Sequence, residues 1–298
     1  MKIANAPCSW GILEFGLDGN THTYQRMLDE MADTGYEGTE LGDWGFLPTD
    51  PKKLSKELES RELSLVGAFV PVDFSNSDDH QKGLKVALKT ANLLSDVDHD
   101  NARIVLSDDN GNDLTRTQNA GRVQPEHGLS EKHWQIFTDG VEYIAQAVLE
   151  ETGIPSSFHH HCAGYVETPE EIDIFLELTD SDLVGLCFDT GHYAYGGGTP
   201  LSGLKKYRNR IDHIHFKGWD PKIDTLSKQK SLDYFEAVEN GIFCELGQGA
   251  IDFEAILEEL KNQQYSDWIV VEQDVLPGMG APKKSALRNR EFLRSIGV

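Results

Sequence analysis

The stretch Phe158-His159-His160-His161-Cys162 sets three imidazoles in a row. Further along, Asp189 and His192 stand in CFDTGH, His213, His215 and Lys217 in DHIHFKGW, and Glu272 and Asp274 in WIVVEQD. Glu40 closes an earlier apolar run, and Asp108 and Asp109 close RIVLSDD. Imidazole nitrogens and carboxylate oxygens together suit a divalent ion such as Mn²⁺, Co²⁺, Mg²⁺ or Zn²⁺. Cys8, Cys162, Cys187 and Cys244 are scattered without a C-x-x-C pair, which argues against a structural thiolate zinc site. Each residue also has a plainer reading. A strand-end histidine is more often a satisfied polar group than a ligand, an aspartate before Thr-Gly-His can cap a turn, and Lys217 can be a solvated loop charge. Recurrence of such residues after successive apolar runs favours a shared metal site.

The elements that must position them alternate from end to end. Strand candidates are KIANAPCSW, GTELG, SLVGAFV, RIVLSDD, SSFHHH, VGLCFDTGH, DHIHFKGW and WIVVEQD. Between them run helical patterns such as TYQRMLDEMADTG and IDFEAILEELKNQ. Thr168-Pro169-Glu170-Glu171 carries a helix-start signal, because Thr caps, Pro suits the first helical position and acids favour the dipole. Eight strand-helix repeats in 298 residues predict one domain over residues 1–298, a parallel (β/α)8 TIM barrel. A doubly wound sheet would usually show a Gly-rich turn after the first strand, where this chain has Cys8-Ser9-Trp10-Gly11. Residues 109–130 make a long loop, expected to serve as a lid or active-site loop.

In a TIM barrel the chemistry lies at the C-terminal strand ends. Strand side chains alternate, so His159 and His161 should point one way and His160, assigned a structural role, the other. The same rule puts His213, His215 and Lys217 on one side. If those sides face the barrel mouth, then His159 or His161, Asp189, His215 and Glu272 converge. Trp10, Trp44 and Trp219 either stack on a sugar ring or pack in the core and rim.

Composition narrows the partners. Twenty-seven Lys and Arg against 50 Asp and Glu give a net charge of -23, a field that repels phosphate backbones and anionic membranes. Nucleic acid is therefore not expected. No apolar run approaches the roughly 20 residues that span a bilayer, and the N-terminus MKIANAPCSW lacks the apolar core of a signal peptide. Few, dispersed cysteines suit reduced thiols, so the expected setting is the cytoplasm.

The runs GYEGTELGDWGFLP, CFDTGH, HIHFK, ELGQGAIDF and VVEQD, in this order, resemble the sugar phosphate isomerase/epimerase superfamily with its xylose isomerase-like barrel. FHHHCAGYVETPEE is most similar to the branch that includes inosose (2-keto-myo-inositol) dehydratase. The resemblance covers nearly the whole chain. It implies a divalent metal held by Asp189, His215 and Glu272, with His159 at the strand-five position where relatives commonly carry Glu, and His161 in reach. It further implies proton transfer by Glu272, His159 or His161, and substrate contacts from Glu40, His192, Lys217 and Arg122. With His in place of one carboxylate, a symmetric two-carboxylate epimerisation gives way to proton loss to one base beside a metal-polarised ketone. The expected activity is thus an isomerase, epimerase or dehydratase acting on a keto-sugar or keto-cyclitol, in a family where homodimers are common. Rival readings are an endonuclease IV-type phosphodiesterase on the same barrel, which the charge opposes, and a non-catalytic carbohydrate-binding barrel.

Overall fold

The computed structural model describes residues 1–12, 23–276 and 278–298. Eight parallel strands close into a barrel in chain order. They are β1 (Lys2–Asn5), β2 (Gly38–Glu40), β3 (Ser64–Val72), β4 (Ile104–Asp108), β5 (Ser156–His159), β6 (Val184–Asp189), β7 (Ile211–Phe216) and β8 (Trp268–Val271). β1 pairs with both β2 and β8, which completes the closure and leaves no sheet edge. All eight expected strands are present, and the (β/α)8 TIM barrel is confirmed.

The outer layer forms because one face of each helix is apolar. Helix Tyr24–Thr34 buries Met27, Leu28 and Met31, and the Thr23 side chain accepts from the amide of Arg26 at its start. Helix Pro169–Leu178 begins at the expected signal, with a reciprocal capping box between Thr168 and Glu171. Outward-facing strand residues meet these helices. Phe158 packs against Phe175 with ring centroids 4.2 Å apart and against Phe137 at 5.8 Å. Inside the barrel, Gly38 leaves room where a Cβ would come within 2.9 Å of Val66 and 3.0 Å of Trp268. Among the described residues no helix is long and apolar enough to cross a membrane.

Several strands stop earlier than their sequence suggests. β1 ends at Asn5 because Pro7 opens a 3-10 turn, Pro7–Trp10. β5 ends at His159, so His160 and His161 lie beyond the ladder and strand alternation does not orient His161. β6 ends at Asp189, whose side chain accepts from the amide of His192 and caps a short helix, Thr190–Tyr195. Helices Leu114–Gln118, Pro221–Lys230 and Tyr234–Glu239 carry weak periodicity and lie in loop regions of the expected pattern.

The long loop over 109–130 is anchored. The wholly buried Arg116 donates to both carboxylate oxygens of Glu171 at 2.7 Å and to the Gly164 carbonyl at 2.8 Å. The Glu167 carboxylate accepts from the amides of Gly121 and Ala163. Removing one partner from a buried ion pair leaves an uncompensated charge. Glu171→Ala should therefore lower stability by about 3–5 kcal/mol in urea unfolding, and a loss of less than 1 kcal/mol would contradict this anchoring.

Candidate active site

Strand alternation against the outer helices decides which side chains reach the barrel mouth. Phe158, Phe188, Phe216 and Val271 are buried in the outer core, which leaves their neighbours His159, Asp189, His215 and Glu272 pointing inward. There the four offer ligand atoms that all lie within 4.8 Å of one another. His159 Nε2 is 3.7 Å from Asp189 Oδ2, His215 Nδ1 is 3.9 Å from the same oxygen, and His215 Nδ1 is 3.4 Å from Glu272 Oε1. Asp189 is 0% exposed, yet its Oδ2 has no hydrogen-bond partner among the described residues. A buried, unsatisfied carboxylate oxygen costs on the order of 1–3 kcal/mol or more, and a cation at this point would relieve it. Two imidazoles and two carboxylates are an appropriate donor set for a divalent ion.

Two further groups overlap this one, His159-Cys187-His215 and Glu40-His213-His215. Neither fits as well. Burial pushes the Cys187 thiol up to about 12, away from the thiolate a metal needs. Glu40 Oε1 is occupied by Nε2–H donors, from His213 at 2.8 Å and His215 at 3.0 Å.

Above these residues opens a cavity of about 360 Å³. Its polar side includes Glu40, His159, His161, Lys217, Glu272 and Asp274, and its apolar side Ile12, Trp44, Phe69 and Pro71. The Lys217 ammonium sits 3.0 Å from Glu272 and 3.5 Å from Asp274. Burial opposes its charge, but Asp274, Glu272 and Asp189 overcome that and keep it protonated. Burial likewise pushes Glu272 up, and His215 and Lys217 outweigh it, holding the carboxyl well below its usual range. His159 and His161 are driven down to about 3, chiefly by burial and then by neighbouring positive groups, so both rings are neutral near pH 7. The carbonyl of Cys162 can only accept, so His161 donates to it from Nδ1 at 2.7 Å and keeps a lone pair on Nε2.

The other expected site residues divide by position. Glu40 and Lys217 line the cavity. His192 is fully buried beneath it, accepting from the Cys162 amide at Nδ1, with Nε2 3.5 Å from Lys217 Nζ. Arg122 lies outside the lining and donates to the carbonyls of Gln118 and Leu232. Only Asn110 of the 109–130 loop reaches the cavity. Of Trp10, Trp44 and Trp219, Trp44 lines it, whereas Trp10 is buried and donates to Glu30, and Trp219 packs partly buried against the core. Cys8, Asp43 and Tyr234 also line it and were not singled out as site residues in the sequence, since each sits in a turn or weakly patterned segment.

Known proteins share this architecture. An inosose dehydratase of Bacillus thuringiensis (strain Al Hakam) is 30% identical over 294 residues, spanning 99% of this chain and 96% of that relative. An inosose dehydratase of Clostridium botulinum (strain Alaska E43 / Type E3) is 29% identical over the same length. Among solved structures, the IolI protein with a bound zinc atom superposes with a TM-score of 0.71 at 16% identity, covering 99% of this chain and 98% of that one. The 3-keto-D-glucoside 4-epimerase YcjR of E. coli gives 0.70 at 17%, covering 99% of each chain. These structural likenesses concern the fold. Residues 28–296 match the xylose isomerase-like TIM barrel model, and the chain belongs to that family.

Proposed function

We propose that the protein is a divalent-metal-dependent enzyme that removes a proton beside the carbonyl of a keto-cyclitol or keto-sugar, and that its reaction is dehydration of a keto-cyclitol. The observation that carries this reading is the convergence of His159, Asp189, His215 and Glu272 on one point at the cavity floor. Full-length similarity to inosose dehydratases supports the reaction and the substrate class.

The cavity favours an uncharged substrate. Glu40, Asp43, Glu272 and Asp274 line it, and its one lysine, Lys217, is already paired with two of them. A phosphate ester would enter against that charge. The apolar side formed by Ile12, Trp44, Phe69 and Pro71 suits the C–H face of a ring, and the polar side suits its hydroxyls. A cation held by the four donors supplies Lewis acidity to the substrate carbonyl.

The chain's own groups complete the chemistry. His161 Nε2 accepts the proton from the carbon beside the carbonyl, and the electron pair moves onto the carbonyl oxygen. As that pair returns, the bond from the next carbon to its hydroxyl breaks. The imidazolium gives up its proton and the hydroxyl leaves as water, which restores His161 and leaves an unsaturated ketone. Lys217 stabilises the transient oxyanion. Return of the proton to carbon instead of loss of hydroxyl would give isomerisation or epimerisation, so product identity separates the readings.

Incubation with inosose in deuterated water should yield the dehydrated product, and any substrate recovered after reversal should carry deuterium beside the carbonyl. Neither dehydration nor exchange with inosose or keto-sugars would sink the proposal. Glu272→Gln and His215→Ala should each abolish turnover and lower bound divalent metal while far-UV circular dichroism stays unchanged; full activity in both would remove the assigned centre. His161→Ala should reduce kcat by about 10²–10⁴-fold, and a variant with unimpaired kcat would exclude it as the base.

The buried histidines also set an acid limit. His159 and His160, 2% and 0% exposed, are held down to about 3 by burial against an ordinary 6.5. Between these values the unfolded chain binds more protons, so stability is complete above the upper one and declines as pH falls toward the lower one. Each ring contributes a slope of about 1.4 kcal/mol per pH unit in that window. Tm measured against pH should drop on the acid side of 6.5; a Tm that rises there would contradict the burial of neutral rings.

A further inference from the structure

Glu40 is the last residue of β2, and the β2–β3 register shifts between Thr39 and Glu40 so that Glu40 falls opposite Gly67. A Cβ on Gly67 would stand 3.1 Å from Glu40 Oε1. The register shift and the missing side chain together admit the carboxylate to the barrel interior, where it spans from β2 to β7. There its Oε1 accepts from Nε2 of His213 at 2.8 Å and from Nε2 of His215 at 3.0 Å. Glu40 is 3% exposed, and both histidines are 1% exposed, so water does not compete for these bonds.

A carboxylate accepts only from a ring nitrogen that bears hydrogen. The bond at Nε2 therefore leaves Nδ1 as the nitrogen of His215 that can give up its proton to the solvent and present a lone pair to an ion. Nδ1 is also the nitrogen that faces the other donors, 3.4 Å from Glu272 Oε1 and 3.9 Å from Asp189 Oδ2. Hydrogen bonding at one ring nitrogen commonly decides what the other can ligate. The geometry points to Glu40 as the positioning residue of the metal centre: it holds a proton of His215 on Nε2 so that Nδ1 is offered to a divalent ion, and it acts on the centre through that ring. This rests on the metal-centre reading above. It also accounts for a charged side chain placed on the far side of the barrel from β7, where a substrate contact alone would not require two histidine partners.

The test is titration of metal-stripped protein with Co²⁺, followed by visible absorption, for the wild type, Glu40→Gln and Glu40→Ala. Glu40→Ala should weaken Co²⁺ binding by about 10- to 100-fold, the usual cost of losing a ligand's hydrogen-bond partner. Glu40→Gln keeps a carbonyl oxygen to accept from both rings but removes the charge, so it should weaken binding less, and it provides the measurement if the alanine variant does not fold. In Zn²⁺-loaded wild type labelled with ¹⁵N-histidine, His215 should show a protonated Nε2 and a ligated Nδ1, a signature that a merely structural role would not produce. Tight wild-type binding unaffected by either substitution, or ligation through Nε2, would overturn the role of Glu40 alone. Failure of the wild type to bind Co²⁺ would overturn the metal centre and this role with it.

Discussion

Strand alternation in a closed barrel is the constraint from which the rest follows. Phe158, Phe188, Phe216 and Val271 turn outward and pack beneath the helices. Burying each such side chain is worth about 1.5–3 kcal/mol, and that gain fixes the rotation of the strand. The next residue, or the one before it, then has to face inward. In this way apolar packing on the outside of the barrel holds His159, Asp189, His215 and Glu272 in a place they would not choose for themselves. Removing them from water is unfavourable, and the outer core offsets that cost.

Charge balance explains how the buried groups tolerate one another. Lys217 lies between Glu272 and Asp274, and Glu40 lies between two imidazoles. Asp189 keeps one oxygen without a partner among the described residues. The inward-facing carboxylates thus outnumber the fixed cations around them, and burial raises Asp189 and Asp274 as a consequence. A divalent ion at the point where the four donors meet would complete this balance. The surface excess of acidic residues is a separate matter, acting on solubility and on which partners approach.

The periphery is built for rigidity as much as for access. Arg116 reaches from a short helix to Glu171, so one carboxylate both caps helix Pro169–Leu178 and fastens the loop over 109–130. With the loop tied at that point and at Glu167, only Asn110 contributes to the cavity. Length and composition suggest a lid or an active-site loop, and neither shows that the segment is anchored at Arg116 and Glu167.

Periodicity alone identified the eight strands, the barrel and the polar residues at the strand ends, because alternating apolar runs leave a one-dimensional record of which face is buried. Alternation also placed Asp189, His215 and Glu272 together on the condition that their sides face the barrel mouth, and each does follow a buried apolar residue by a single step. Other features depended on contacts distant in the chain. Strand ends were set by local turns, at Pro7 and at the cap made by Asp189, not by the apolar runs. Arg122 was expected near the substrate, yet its partners Gln118 and Leu232 hold it outside the cavity. Glu40 meets His213 and His215 across 173 and 175 residues of sequence, through a register shift and a glycine on a third strand. The primary structure therefore determined which groups face the barrel axis, whereas only closure of the barrel decided which of them touch, because that depends on how strands far apart in sequence are staggered.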